Sequence, residues 1–441
     1  MARETLVHVW PADAVDPIVA GVFRLEPDRR VGTFTYDDQY RAGHFPGLAP
    51  DMPIKNKQIK VINGDAIFPL FRDAGPDDWG RRVLERRLGR PVDLFESLVL
   101  CPVDGVGNIA LGELDSSRSI ALTLDEFLEH YEALDTAKKL AETHVETAVL
   151  QAVNNGTSLG GTKPKLSIER KDKQFLLKFP ANGDTPWLPH VEAALLCMAT
   201  KCGINACKAE VYRLPGKEKF GLLVERFDRY KVNGGFARIP YVSAHSVLRM
   251  DIAELRADPR DIALYATRGF DPQSLARSYP AFADAMMRWC GGKTHHAEQL
   301  RELWRRIVFN GLVRNIDDHT RNHGLICSDP HAGIWQLSPA FDVVTPVAAM
   351  RRPAMSSAYR YVKAGRHGTG TNTPRLVWSA NREDLIEAAV SHYQYEREEA
   401  SMWFEATQQY VRTHWQTSLL EQGMPNEEVA RYENALGLGW E

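Results

Sequence analysis

The chain has 441 residues, enough for two or three packed domains. Its 44% hydrophobic and 25% charged residues are those of an ordinary soluble protein, and 54 basic against 57 acidic side chains leave a net charge of −3. That balance argues against nucleic-acid binding through bulk charge and leaves only a local patch for it. The opening Met1–Trp10 lacks the apolar core of a signal peptide, and no run approaches the roughly 18 apolar residues of a membrane span. A cytoplasmic protein without a membrane segment is expected. The six cysteines form no C-x-x-C pair, and the five-residue spacing of Cys197, Cys202 and Cys207 is not that of a zinc site. Cys197, on a predicted helix, reads as a buried reduced thiol.

In chain order, residues 5–70 alternate as short strands, with Leu6, His8 and Trp10 opposite Val7 and Val9. Residues 78–90 read as a helix with Trp79, Val83, Leu84 and Leu88 on one stripe. Its five arginines are accounted for by a solvated basic face more simply than by a partner. A turn at 104–108 and a strand at 108–112 close a first unit near residue 118. Thr123 and Glu126 have capping-box spacing and open an acidic helix to about residue 136. A second helix covers about 138–153. The loop 156–165 follows the pattern of a phosphate-binding Walker A loop for six residues. It then departs, because Thr162 and Lys163 replace the required ending and Pro164 disfavours helix at Lys163. It reads either as a phosphate-binding turn or as a flexible glycine turn.

The strand at 174–180 sets Phe175, Leu177 and Phe179 on one face and Leu176 and Lys178 on the other. A lysine among apolar neighbours is costly to bury unpaired. Glu192, on the apolar face of a helix over 190–202 ended by Gly203, is its candidate partner. The alternative is that Glu192 favours a helix N-terminus through the dipole. Residues 221–229 read as a buried strand running into charged residues, and 230–240 as a loop or hairpin. A helix over 296–314 has Leu300, Leu303, Trp304, Ile307, Val308 and Val313 on its core side. After it come a long basic segment at 345–376, carrying Arg351, Arg352, Lys363 and Arg366, and helices near 382–412 and 426–435. There is no internal repeat and no low-complexity region.

Between the helix and the basic segment stands the stretch Asn315–Gly324. Asp317 and Asn322 reproduce the D-x-x-x-x-N spacing in which an aspartate takes a hydroxyl proton and an asparagine holds magnesium. Asp342 offers a second metal-binding carboxylate, and Lys178 a phosphate lysine. Base, metal ligands and lysine in this order predict phosphoryl transfer. One rival is a metal-dependent phosphohydrolase built on Asp317, Asp318, His319, His323 and Asp342. Another is a nucleotide-binding pseudokinase or scaffold.

The ordered set Thr157–Gly161, Leu176–Lys178, Val224–Arg229, Asn315–Asn322 and Ala340–Asp342 resembles the HipA family of bacterial serine/threonine kinases, toxins of toxin–antitoxin pairs. The stretch Phe95–Asn108 is similar to the segment closing that family's N-terminal subdomain. The resemblance implies an α+β, two-lobed protein-kinase-like fold. A β-rich N-terminal subdomain would span residues 1–120, a kinase N-lobe-like region 121–238 and a helical C-lobe 239–441. It implies ATP and Mg2+ as cofactors. It also implies a HipB-like helix-turn-helix antitoxin as partner, operator DNA through it, and a protein substrate such as an aminoacyl-tRNA synthetase. By the same resemblance Lys178 would hold the phosphates, Asp317 would be the catalytic aspartate, and Asn322 and Asp342 would bind magnesium. Ser158, Gly160, Gly161, Glu225, Phe227 and His319 would contact nucleotide. Ser158, with Thr157 beside it, would be the self-phosphorylated residue that expels the loop. The chain departs from the family pattern at Asp318, where a small residue is common, and at Arg321, where lysine is. Its glycine loop also ends in Thr162-Lys163-Pro164-Lys165.

Overall fold

The computed structural model describes residues 2–62, 65–76, 78–101, 103–114, 121–129, 165–181, 183–215, 218–249, 277–290, 293–347, 355–362 and 375–437. The predicted helix at 138–153, the loop with Thr157, Ser158, Gly160 and Gly161, and the arginines and lysine of the basic segment lie outside these residues. The chain forms two compact units. One comprises Met1–Pro189, Ala209–Val242 and Ile326–Ile334, and the other His190–Lys208, Ser243–Leu325 and Trp335–Glu441.

The first unit holds two five-stranded sheets. Strands β1 (Arg3–Val9), β2 (Ile18–Glu26), β3 (Val31–Tyr36), β4 (Ile59–Ile62) and β5 (Ile109–Leu111) follow the order β4-β3-β2-β1-β5. Alternation along β1 buries Thr5, Val7 and Val9 and exposes Glu4 and Leu6. Trp10, grouped with Leu6 and His8 by its spacing, is buried instead. A bulge between Val7 and His8 shifts the register, and Trp10 lies past the strand end, where it packs with Val103 and Ala110. Under this sheet Phe71 meets Phe23 and Phe34 edge-on, with ring centroids 5.3 and 5.6 Å apart. Each such fully buried ring contributes about 1.5–3 kcal/mol.

The second sheet contains β6 (Leu122–Thr123), β7 (Lys165–Arg170), β8 (Lys173–Lys178), β9 (Ala209–Arg213) and β10 (Phe220–Glu225), in the order β6-β7-β8-β10-β9. Leu177 and Phe179 are buried and Phe175 packs beside them, the face that alternation predicts. The Thr123 hydroxyl accepts from the Glu126 amide, and the Glu126 carboxylate accepts from the Thr123 amide, completing the predicted capping box. Residues 229–238 fold as a hairpin of β11 (Arg229–Val232) and β12 (Gly235–Arg238) around Asn233-Gly234, where Gly234 takes φ 91°. In the predicted helix at 78–90, Leu84 is buried but Leu88 is 40% exposed, so the apolar stripe stops short of the helix end at Leu88.

In the second unit the helix Lys293–Leu312 is the core: Leu300, Leu303, Trp304, Ile307 and Val308 are all buried. Trp304 donates its indole N–H to the Leu385 carbonyl at 2.8 Å. The helix Leu188–Lys201 is buried along most of its length, and Cys197, Thr200 and Lys201 form its outward stripe. Cys197 is therefore an exposed thiol, not the buried one expected. The single helix predicted at 382–412 is two, Arg382–His392 and Arg397–Glu421, because Gln394 adopts φ 50° and breaks the backbone pattern. Among the described residues no helix is long and apolar enough to cross a membrane.

Candidate active site

The helix Lys293–Leu312 delivers the loop that carries Asp317 and Asn322. It ends where Arg314 takes φ 55° and the Asn315 amide returns to the Asn310 carbonyl at 2.8 Å, a left-handed stop. Asn315, 1% exposed, donates its side-chain amide to Asn310 Oδ1 at 3.1 Å and to the Asp342 carbonyl at 3.4 Å. One buried asparagine thus ties the start of the loop to the segment bearing the second carboxylate. Along the loop the side chains part: Asp317 and His319 are exposed, while Asp318, Asn322 and His323 are buried. The Asn322 amide closes on the His319 carbonyl at 2.8 Å, and its side-chain Nδ2 donates to the Asp317 carbonyl at 3.2 Å.

The loop is also braced by the helical turn Ala244–Val247, which Ser243 caps. The Ala244 amide donates to the His323 carbonyl at 2.8 Å and the His245 amide to the Thr320 carbonyl at 3.1 Å. The His245 ring meets Arg321 at 3.0 Å. Nothing in the spacing of the sequence marks His245, since its partners lie about eighty residues downstream.

Asp342 is half-buried and takes φ 60°. A non-glycine residue in this region costs on the order of 1 kcal/mol and persists only when its surroundings impose it. Here Ala340 imposes it from one side, bonded both ways to Asn205 and Cys207 at 2.8 and 2.9 Å, and Asn315 from the other.

Of the other predicted residues that are described, Lys178, Glu225 and Phe227 belong to the first unit and the buried Glu192 to the second. Lys178 ends β8, half-buried, with Lys165 of β7 directly opposite in register. Directly opposed residues on paired strands share a face. Lys165 is 4% exposed and is a second lysine beside Lys178. Glu225 ends β10, where its carboxylate holds Lys173 Nζ at 2.7 Å, and the Phe227 ring packs on Tyr241 with centroids 5.6 Å apart.

Between Glu225 and Phe227 stands the group that the sequence reading passed over. Arg226 donates to Asp228 and to Asp104, both at 2.8 Å, and to Ser167 at 2.8 Å. Arg229 donates to Asp228 and to the Gly105 and Gly107 carbonyls. Burial pushes the Asp228 carboxyl up, but Arg226 and Arg229 overcome it and hold the group far below the ordinary carboxylate range. A charged run directly after a buried strand was the available signal.

The family comparisons bear on these same stretches. The HipA-like C-terminal domain matches residues 157–415, and the HipA N-terminal domain matches residues 14–112. The chain belongs to the HipA family. The HipA of Shewanella oneidensis MR-1, solved with HipB and its operator DNA, superposes with a TM-score of 0.64 at 15% identity, covering 98% of this chain and 96% of that one. The fold is accordingly α+β and HipA-like. A Haemophilus influenzae relative whose name carries the word kinase is 26% identical over 202 residues, 43% of this chain and 53% of its own length. The match thus spans about half of that relative.

For a HipA-family chain the division of the loop is informative. Among the described residues no group of three or more His, Cys, Asp or Glu side chains is placed to hold a metal ion. The hydrolase constellation of Asp317, His319, His323 and Asp342 is not assembled, because His323 is turned inward onto Asp318 at 2.9 Å. Asn322 and Asp342 instead supply an amide and a carboxylate, hard oxygen donors of the kind magnesium takes alongside phosphate and water.

Proposed function

We propose that this HipA-family chain is an ATP- and magnesium-dependent serine/threonine protein kinase acting as the toxin of a toxin–antitoxin pair. The observation that carries the reading is the set of bonds by which Asn322 closes on Asp317 and Asn315 closes on Asp342. In this reading Asp317, exposed at the loop, orients and deprotonates the attacking hydroxyl. Asn322 and Asp342 would hold magnesium, which would supply positive charge against the charge that develops on the phosphates. With Nδ2 committed to Asp317, Oδ1 is the Asn322 atom that serves the metal. Lys178, with Lys165 across the strand, meets the phosphates. Glu225 and Phe227 line the adenine site, and His319 contacts nucleotide. Gly160 and Gly161 cradle phosphate, and Ser158 is the self-phosphorylated residue, with Thr157 the competing acceptor beside it. The operator complex of the Shewanella protein supports a HipB-like helix-turn-helix antitoxin as partner, with operator DNA through it. The protein substrate is a translation component such as an aminoacyl-tRNA synthetase. Incubation with labelled ATP and magnesium tests the chemistry. Label on protein at Ser158 is the expected result. Free phosphate would indicate a hydrolase, and no turnover a pseudokinase.

A further inference from the structure

Beneath Asp317 and Asn322 lies a set of buried groups to which the proposed chemistry gives no task. Two ties cross the loop, each spanning five residues and offset by one. Asn322 Nδ2 reaches the Asp317 carbonyl at 3.2 Å, and His323 Nε2 reaches the Asp318 carboxylate at 2.9 and 3.1 Å. Asp318 is 2% exposed and His323 3%. An ionised carboxylate only accepts, so Nε2 of His323 carries the proton. The ring's Nδ1 is buried and bonds no protein group among the described residues, which leaves Asp318 as the ring's one hydrogen-bond partner there. From the helix Tyr279–Trp289, the Tyr279 hydroxyl donates to Asp318 Oδ2, and its ring meets His323 edge-on with centroids 5.4 Å apart. The Ser356 hydroxyl donates to the Asp318 carbonyl. Burial alone would push the Asp318 carboxyl up, but His323, Tyr279 and Asn310 hold it below the ordinary range, so the group stays an anion.

Asp317 itself is held differently. Its side chain makes no hydrogen bond among the described residues, so its direction comes from the backbone on either side. Of the two consecutive aspartates, one is anchored inward and the other points out. We propose that Asp318, fixed by Tyr279 and His323, is a positioning residue that aims the Asp317 carboxylate and the Asn322 amide. The catalytic half of this inference rests on the phosphoryl-transfer reading; the anchoring half rests on the loop geometry alone. Displacing a reacting group by about 1 Å costs on the order of 10²-fold in rate, so a loosened anchor is visible in kcat.

The test uses the full chain as wild type, Tyr279→Phe, Asp318→Asn and the double variant. Tyr279→Phe keeps the ring and removes only the hydroxyl, so it keeps the test open if Asp318→Asn fails to fold. The first readout is hydrogen exchange at the Asn322 amide, which bonds the His319 carbonyl. The second is kcat and the KM for ATP. Exchange at Asn322 should rise about tenfold or more in Tyr279→Phe, with the helix 293–312 unchanged. kcat should fall roughly 10–100-fold while the KM for ATP stays within about threefold, and the double variant should fall less than the product of the two. Unchanged Asn322 exchange in both single variants overturns the proposal whatever the activity. So does a fall in kcat that merely follows the folded fraction. A wild type that transfers no phosphate while its Asn322 exchange responds as stated sinks the kinase reading and upholds the anchor.

Discussion

Asp228 and Asp318 are each 2% exposed, and each is held low by its neighbours, yet by different means. Asp228 lies between two arginines, and both reach on to Asp104, which is 122 residues from Arg226 in the chain. Asp318 is held by a histidine five residues on and by a tyrosine. Arginine carries a permanent charge and a rigid fork of donors, so the first cluster joins distant segments in a fixed geometry. Histidine and tyrosine are neutral-capable, single-point partners, and the second set closes on one loop. A buried anion thus serves architecture in one unit and aim in the other. The two roles separate under mutation.

The largest effect belongs to the loop. Asp317→Ala should lower phosphoryl transfer about 10²–10⁴-fold, roughly 3–5 kcal/mol of barrier, while leaving thermal stability and nucleotide binding nearly intact. Asp342→Ala should instead weaken magnesium–ATP binding, read by titration calorimetry. Equal loss of ATP affinity in both variants would undo this division of roles.

In the other unit the cost falls on the fold. Asp228→Ala leaves the buried Arg226 and Arg229 to share Asp104, and breaking such a buried pair costs about 3–5 kcal/mol. Urea denaturation should show it as a shifted midpoint. A variant as stable as wild type would mean that the cluster is not architectural.

Acid sharpens the contrast by a smaller amount. The folded Asp228 pKa is depressed by its arginines, so its contribution is complete above the unfolded value of about 3.9 and is lost as pH falls below it. Wild type should therefore lose stability below about pH 4 more steeply than Asp228→Asn, in melts taken across that range. Parallel curves would show that the carboxylate charge is not what the arginines need. The smallest effect is local. Thr123→Ala, which removes half of the capping box, should cost about 1 kcal/mol, with no change in transfer rate.

The features legible in the sequence are short in range. The D-x-x-x-x-N spacing, the core stripe of the helix Lys293–Leu312, the Thr123–Glu126 cap and the face of Leu177 and Phe179 all depend on neighbours a few residues apart. Such contacts follow from helical and strand periodicity, which any window of the chain displays. Tertiary structure alone decided which of Asp317 and Asp318 faces outward, and that Arg226 reaches Asp104. It likewise decided that Lys165 stands across from Lys178, that Cys197 lies on an exposed stripe, and that Gln394 divides a helix. For the buried charged groups the physical reason is the same. A buried charge must find its counter-charge wherever the folded chain brings one, and sequence distance carries no record of that.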